Sequence, residues 1–176
     1  MKVNRTMPGM DKYVRYFDHL EDHIRNVETC YELLTGHKLN RTHDESKYDE
    51  SEFYGYAWYH YPETRPEGIT EEEVNYKYNL AWSHHQKNNP HHWQYYVVIS
   101  DNGNTVPVKM DEDSMLELVA DWSSFGIEKK NPYSAQEWYD ENKDGIIMHP
   151  ETRDKVERLI NLMTIELINY LRENKE

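Results

Sequence analysis

The feature that most constrains the fold of this 176-residue chain is the spacing of its apolar side chains. Between about Asp11 and Leu34, apolar residues recur at steps of three and four, the period of an amphipathic α-helix. The same spacing, bounded by capping and breaking residues, predicts helices over residues 45–60, 70–87, 111–125 and 134–144, and from Pro150 onward. Capping-box spacing at Thr70 with Glu73 and at Ser134 with Glu137 marks two of the starts, and Gly126 should end the helix that begins at 111. The chain is therefore predicted to be mainly α.

One segment departs from the helical spacing. The β-prone residues 95–99, the turn-forming residues 101–104 and residues 105–108 predict one small β-hairpin. Pro107 cannot donate a backbone hydrogen bond, so its strand should lie at a sheet edge. The length suits one core, and we expect a single helical domain over residues 1–176.

Composition narrows the classes of function. The formal charge of −13 argues against nucleic acid as a partner, because phosphate contacts are made by Lys and Arg. The sequence has neither a long apolar run nor a secretion signal, so we expect a cytoplasmic protein without a membrane partner. Cys30, the single cysteine, falls in an apolar stripe and is interpreted as a core residue.

The ten histidines group with carboxylates, and residues 43–47 form the most specific group. His43 and Asp44 are adjacent, so both could approach one ion where the backbone leaves helical geometry, and a carboxylate can bridge two ions. Alternatively, Asp44 caps the second helix and His43 lies in solvent. His23 lies beside the apolar stripe of the first helix, as a ligand or as a hydrogen-bonded core histidine.

A second group of histidines lies between residues 84 and 92. His85 continues the apolar stripe of the third helix and should point inward, whereas His84 is rotated about 100° away. One of His91 and His92 should face the site, unless the pair is solvated in a loop. Asn89 could orient a histidine or simply end the helix.

Asp121 lies inside the apolar segment Val119-Ala120-Asp121-Trp122. A carboxylate in such a position needs a partner, which could be an arginine or a metal ion. Because several histidines lie elsewhere in the chain, we favour the metal.

The order of these residues resembles the HD superfamily of metal-dependent phosphohydrolases, which present a histidine, an adjacent His-Asp pair, further histidines and a late aspartate. Residues 43–47 look like the His-Asp-x-Gly-Lys version of cyclic-dinucleotide-cleaving members, with Ser46 in place of glycine. Residues 84–86 are similar to their His-His-Glu step, but Gln86 replaces the acid and no Gly-Tyr-Pro follows. With His-His-Trp at 91–93 and Ala-Asp-Trp at 120–122, the chain resembles more closely an uncharacterised family of bacterial and phage genomes.

The HD resemblance implies an HD-like helical bundle with a mono- or dinuclear site. One ion would be held by His23, His43, Asp44 and Asp121, and Asp44 would bridge to a second ion bound by His85 and by His91 or His92. Asp44 and Lys47 would be catalytic, with Lys47 contacting the phosphate, while His84 and Asn89 would support the ligands. Mixed histidine and carboxylate ligation suits Mn²⁺, Fe²⁺, Co²⁺, Ni²⁺ or Zn²⁺ better than Ca²⁺.

The implied reaction is hydrolysis of a nucleotide or another small phosphorylated substrate. One alternative is an HD-type di-iron oxygenase on the same scaffold. Another is an acidic, metal-stabilised binding protein without enzymatic activity, in which the aromatic residues 53–61 form a recognition surface. A packed core face is the simpler interpretation of that aromatic stretch.

Overall fold

The computed structural model describes residues 9–174, and within them the protein is mainly α, as predicted. Six α-helices and one two-stranded antiparallel sheet are found in this range. None of the described helices is long and apolar enough to cross a membrane. The elements are α1 Val14–Thr35, α2 Phe53–His60, α3 Glu71–Asn88, β1 Val97–Ile99, β2 Thr105–Pro107, α4 Glu112–Glu128, α5 Ser134–Asn142 and α6 Pro150–Glu173.

The described chain divides into two compact units. Unit 1 contains residues 9–22 and 44–89, and unit 2 contains residues 23–43 and 90–174. The chain passes from one unit to the other three times, once between the adjacent residues His43 and Asp44. The expectation of a single domain stays a prediction.

An aromatic core holds unit 1 together. Phe53 of α2 is fully buried, and its ring centroid lies 5.1 Å from those of Tyr13 and Tyr16 and 5.3 Å from that of Phe17. Aromatic pairs at such distances add to the stabilisation from buried area. Residues 53–61 therefore contribute largely to a core face, as their simpler interpretation predicted, although Tyr59 remains 41% exposed.

The second predicted helix is in fact two shorter pieces. A single 3₁₀ turn covers Glu45–Tyr48, and α2 begins only at Phe53. The prediction of a continuous helix over residues 45–60 was wrong because Asp49 has an extended backbone, with ψ of 149°, and interrupts the helical hydrogen bonds. The next helix begins as predicted, since Thr70 and Glu73 form the expected capping box of α3.

The core of unit 2 contains the C-terminal part of α1 and the helices α4 and α6. Val27 and Cys30 of α1, Leu118 of α4 and Ile160 of α6 are all completely buried. Burial raises the pKa of the Cys30 thiol far above its ordinary value, which disfavours the thiolate. Cys30 is thus a core residue, as predicted.

The hairpin and the end of α4 are the remaining features of unit 2 with sequence predictions. β1 pairs with β2 in antiparallel register, with Pro107 opposite Val97, and both strands of this small sheet are edges. The predicted end of α4 at Gly126 was wrong, because the helix continues to Glu128 and Lys130 adopts the left-handed conformation beyond it. Gly126 instead permits a close approach, since a Cβ there would lie 2.9 Å from the Asn131 carbonyl oxygen.

The predicted capping box at the start of α5 is also absent. Tyr133 occupies the N-cap position, and no side chain forms a cap hydrogen bond there. Glu137, the predicted partner of Ser134, accepts a hydrogen bond from the Asn131 side chain at 2.9 Å.

Candidate metal centre

His43 and Asp44 occupy buried positions at a non-helical point of the backbone. Asp44 has a left-handed conformation, with φ of 55°, and its side chain makes no cap hydrogen bond to the following 3₁₀ turn. His43 has no exposed surface. The alternative in which Asp44 caps a helix and His43 lies in solvent is therefore wrong. His43 belongs to unit 2 and Asp44 to unit 1.

In unit 2, three histidines surround the carboxylate of Asp121. Asp121 Oδ1 lies 3.3 Å from His23 Nε2 and 3.7 Å from His43 Nε2. The rings of His43 and His91 pack with their centroids 4.4 Å apart. One ligand atom from each of His43, His91 and Asp121 lies within 4.8 Å of the other two. In this group, His43 lies in the loop after α1, His91 lies shortly after α3, and Asp121 lies on α4.

Glu117, one helical turn before Asp121 on α4, binds the opposite side of two of these imidazoles. Its Oε1 lies 2.9 Å from His43 Nδ1 and 3.3 Å from His91 Nδ1. Burial raises the pKa of Glu117, but the hydrogen bonds with His43 and His91 outweigh it and hold the pKa well below its ordinary value. An ionised carboxylate can only accept, so both Nδ1 atoms donate to it. In neutral His43 and His91, each Nε2 then carries a lone pair.

Ser124 contacts the Nδ1 atom of His23, as Glu117 contacts the Nδ1 atoms of His43 and His91. The Ser124 hydroxyl donates to the Asp121 carbonyl oxygen at 2.7 Å, and its oxygen lies 3.3 Å from His23 Nδ1. Since the single hydroxyl hydrogen is used, the serine oxygen accepts from His23 Nδ1. The Nε2 atom of a neutral His23 therefore presents a lone pair to the Asp121 carboxylate.

This set of atoms fits a metal ion. Burial raises the pKa of Asp121, but the hydrogen bonds with His23 and His43 outweigh it and hold the pKa well below its usual range. Those hydrogen bonds require a proton on each Nε2 atom, and when the imidazoles are neutral with hydrogen on Nδ1, a metal ion could take the place of that proton. Metal–ligand bonds of about 2.0 to 2.2 Å separate neighbouring ligand atoms by about 2.8 to 3.1 Å in octahedral geometry and about 3.3 to 3.6 Å in tetrahedral geometry. The separations of 3.3 and 3.7 Å from Asp121 come close to the tetrahedral range, so this buried cluster could hold a metal ion.

Unit 1 contains a buried polar network around His85 of α3. His85 Nε2 lies 3.2 Å from Asp44 Oδ1, and His85 Nδ1 lies 2.7 Å from Glu52 Oε2. The Lys47 ammonium lies 2.6 Å from the other oxygen of Asp44. Burial raises the pKa of Glu52, but its hydrogen bond with His85 and further hydrogen bonds from the network produce a net lowering. Asp44 is therefore held between a lysine and an imidazole.

Two predicted supporting residues join the unit 1 network. The Asn89 amide donates to Ser46 Oγ at 3.0 Å and lies 3.1 Å from His85 Nδ1, while Asn89 also ends α3. His84 is exposed, as its rotation from the inward face predicted, and its Nδ1 lies 2.7 Å from Glu52 Oε1. Glu52 thus connects two consecutive histidines of α3.

Each of the ten predicted site residues lies near others of the set within one unit or the other. His92 packs its ring 4.3 Å from that of His91, which is buried, so the alternative of a solvated pair is wrong for His91. The members in unit 2 are His23, His43, His91, His92 and Asp121, and those in unit 1 are Asp44, Lys47, His84, His85 and Asn89.

Two buried glutamates of these networks, Glu52 and Glu117, are not among the predicted residues. Glu117 precedes Asp121 by four residues, so the two share one face of an apolar helix, and this spacing could have identified it. No comparable spacing identifies Glu52, because Glu50 lies two residues before it in a similar stretch of sequence and is exposed.

Comparisons with known proteins give one match. No curated protein and no solved structure shows significant similarity to this chain. One family model, described as a family of unknown function (DUF5662), matches residues 12–162, which is most of the sequence. The chain therefore belongs to the DUF5662 family.

Proposed function

We propose that this protein is a metal-dependent phosphohydrolase that acts on a nucleotide or another small phosphoester. Its metal ion is held in unit 2 by His23, His43, His91 and Asp121. The observation that carries the proposal is the convergence of ligand atoms from His43, His91 and Asp121 within 4.8 Å of one another in a buried position.

A divalent cation, unlike a proton, would give this cluster of unit 2 a net positive charge. Asp121 and Glu117 are ionised, and Arg41 donates from Nε to Glu117 Oε2 at 2.9 Å, so these three groups carry one net negative charge. A single proton would only neutralise the cluster, whereas a divalent ion makes it positive. A positive centre is what a phosphate group requires in a protein with a charge of −13.

The ligand types restrict the ion and the chemistry. Imidazoles with a carboxylate suit Mn²⁺, Fe²⁺, Co²⁺, Ni²⁺ or Zn²⁺. Such an ion lowers the pKa of a bound water and neutralises phosphate oxygens. The choice of a phosphoester is supported by the residue order shared with the HD superfamily, and a cytoplasmic location, which we also propose, would provide nucleotides.

In unit 1, we assign catalytic roles to Asp44 and Lys47. The Lys47 side chain is 18% exposed, and its ammonium is fixed 2.6 Å from Asp44 Oδ2, so a positive charge is held next to a buried carboxylate. His85 and Glu52 hold Asp44 from the other side. Lys47 would contact the substrate phosphate as a point charge.

The test begins with elemental analysis of the purified protein, followed by loading with Mn²⁺ and assay of phosphate release from a panel of nucleotides and phosphomonoesters. We expect bound metal and turnover of at least one substrate, with Asp121→Asn losing both and Asp44→Asn losing turnover. Asp113→Asn, the same change at an exposed position of α4, is the matched control and should retain both.

Three outcomes would contradict the proposal. Full metal occupancy without turnover across the panel would exclude the hydrolase. An optical change on exposing anaerobically iron-loaded protein to oxygen, without phosphate release, would favour the oxygenase. Protein that binds no metal under any loading condition would favour a binding protein without enzymatic activity.

A further inference from the structure

We infer that Glu117 is the positioning residue of the unit 2 metal centre, because its single carboxylate sets the tautomer and direction of two ligand histidines at once. The inference rests on the proposed metal site, but not on the reaction assigned to it. Glu117 is 1% exposed, so its position is determined by its contacts within the protein.

The geometry assigns each carboxylate oxygen a separate role. Oε1 takes the Nδ1 atoms of both His43 and His91, at 2.9 and 3.3 Å. A carboxylate oxygen has two lone-pair positions, so it can accept both hydrogens. With Nδ1 protonated on both rings, only the Nε2 atoms can bind an ion. His43 Nε2 lies 3.7 Å from Asp121 Oδ1, and one ring nitrogen of His91 lies within 4.8 Å of the ligand atoms of His43 and Asp121.

Arg41 holds the other oxygen of the carboxylate. Its Nε donates to Glu117 Oε2 at 2.9 Å, and its Nη2 approaches the same atom. This contact prevents the carboxylate from rotating away from the two imidazoles. The Arg41 side chain is 43% exposed and lines a cavity of about 470 Å³ in unit 2, so its replacement leaves no void in the core.

The first test measures the tautomers directly, in metal-free protein. Long-range ¹H–¹⁵N spectra of ¹⁵N-histidine-labelled protein distinguish a protonated Nδ1 from a protonated Nε2. We expect His43 and His91 to carry hydrogen on Nδ1 in the wild type. Glu117→Gln should change this in at least one ring. Arg41 can only donate and so retains the amide oxygen at the Oε2 position, which turns the amide nitrogen and its hydrogens toward the two Nδ1 atoms. Both histidines keeping the Nδ1 hydrogen in Glu117→Gln would overturn the inference.

The second test measures Co²⁺ affinity and the visible absorption spectrum of the Co²⁺ protein. Loss of a group that orients metal-binding histidines typically weakens binding 10- to 100-fold, and we expect a loss in that range for Glu117→Gln. Arg41→Gln should weaken binding less, and Arg41→Lys less again, since it restores the charge. Glu128→Gln, the same change at an exposed position of α4, is the control and should bind as the wild type does.

These measurements separate a positioning role from a merely structural one. A structural role predicts a lower unfolding temperature in the metal-free variant with an unchanged Co²⁺ spectrum, and that result would overturn the inference. If Glu117→Gln does not fold, Arg41→Gln decides the question by the same spectra, because wild-type affinity and spectrum in that variant would contradict the assigned role of Arg41. None of these readouts requires turnover, so their failure is distinguishable from failure of the proposed hydrolase activity.

Discussion

Metal binding should stabilise the folded protein against heat, and Asp121 should be required for that effect. A ligand that binds only the folded state, at a free concentration of 100 times its Kd, adds about 2.7 kcal/mol to the free energy of unfolding. An unfolding entropy of about 2.1 cal/mol/K per residue gives about 0.37 kcal/mol/K for 176 residues. Saturating metal should therefore raise Tm by about 7 °C. The shift is larger if unit 2 unfolds by itself, because its unfolding entropy is smaller.

Asp121→Asn removes the only carboxylate among the four proposed ligands of unit 2. A hundredfold weaker affinity at the same metal concentration leaves about 0.4 kcal/mol, a Tm shift of about 1 °C. The assay is far-UV circular dichroism during heating, with Zn²⁺ or with a chelator, and the shift is compared within each variant. This comparison cancels any effect of the substitution on the metal-free protein.

Asp113→Asn provides the control, since it makes the same change at an exposed position of the same helix. It should retain the full metal-dependent shift. Wild-type protein with the same Tm in metal and in chelator would refute the reasoning. A shift of wild-type size in Asp121→Asn would equally remove Asp121 from the ligand set.

Three further predictions concern the scaffold. Thr70→Ala removes the N-cap of α3 and should lower the free energy of unfolding by about 1 kcal/mol in urea titration, whereas an unchanged value would contradict the capping role. Gly55→Ala places a Cβ 2.5 Å from that of Ala81, so α2 and α3 must separate, and we expect a loss of about 1 to 3 kcal/mol by the same measurement. Burial raises the pKa of Asp111, but hydrogen bonds from Tyr96 and the α4 backbone lower it overall. The charge of Asp111 therefore stabilises the fold above the unfolded pKa of about 3.9, and this stabilisation is lost as pH falls through the lower folded pKa. The stability difference between wild type and Asp111→Asn, which keeps a capping side chain, should therefore be present at neutral pH and shrink below about pH 4, and a difference independent of pH would contradict this.

Local geometry explains which parts of the fold could be read from the sequence. A helix of 3.6 residues per turn places residues three and four apart on one face, so periodicity alone predicts α1 and α6 and the inward direction of His85. The capping box at Thr70 involves residues three apart and is equally local. In contrast, the break before α2 comes from the extended conformation of Asp49, for which the aromatic spacing gave no signal.

The residue types of the candidate site were also evident from the sequence, but the partners of each residue were not. Asp121 required a partner, for which the sequence favoured a metal ion and left an arginine as the alternative, and the tertiary structure places His23 and His43 beside it. Arg41 pairs instead with Glu117, which the sequence analysis did not select.

The sequence by itself determined the helical class and which histidines and carboxylates are available as ligands, because both depend on residue type and short-range spacing. Only the tertiary structure decided which carboxylate meets which imidazole. His43 and Glu117 are separated by 74 positions, and His84 and Glu52 by 32. Contacts over such separations depend on how distant segments pack within each unit, and a periodicity of three or four residues contains no information about that packing.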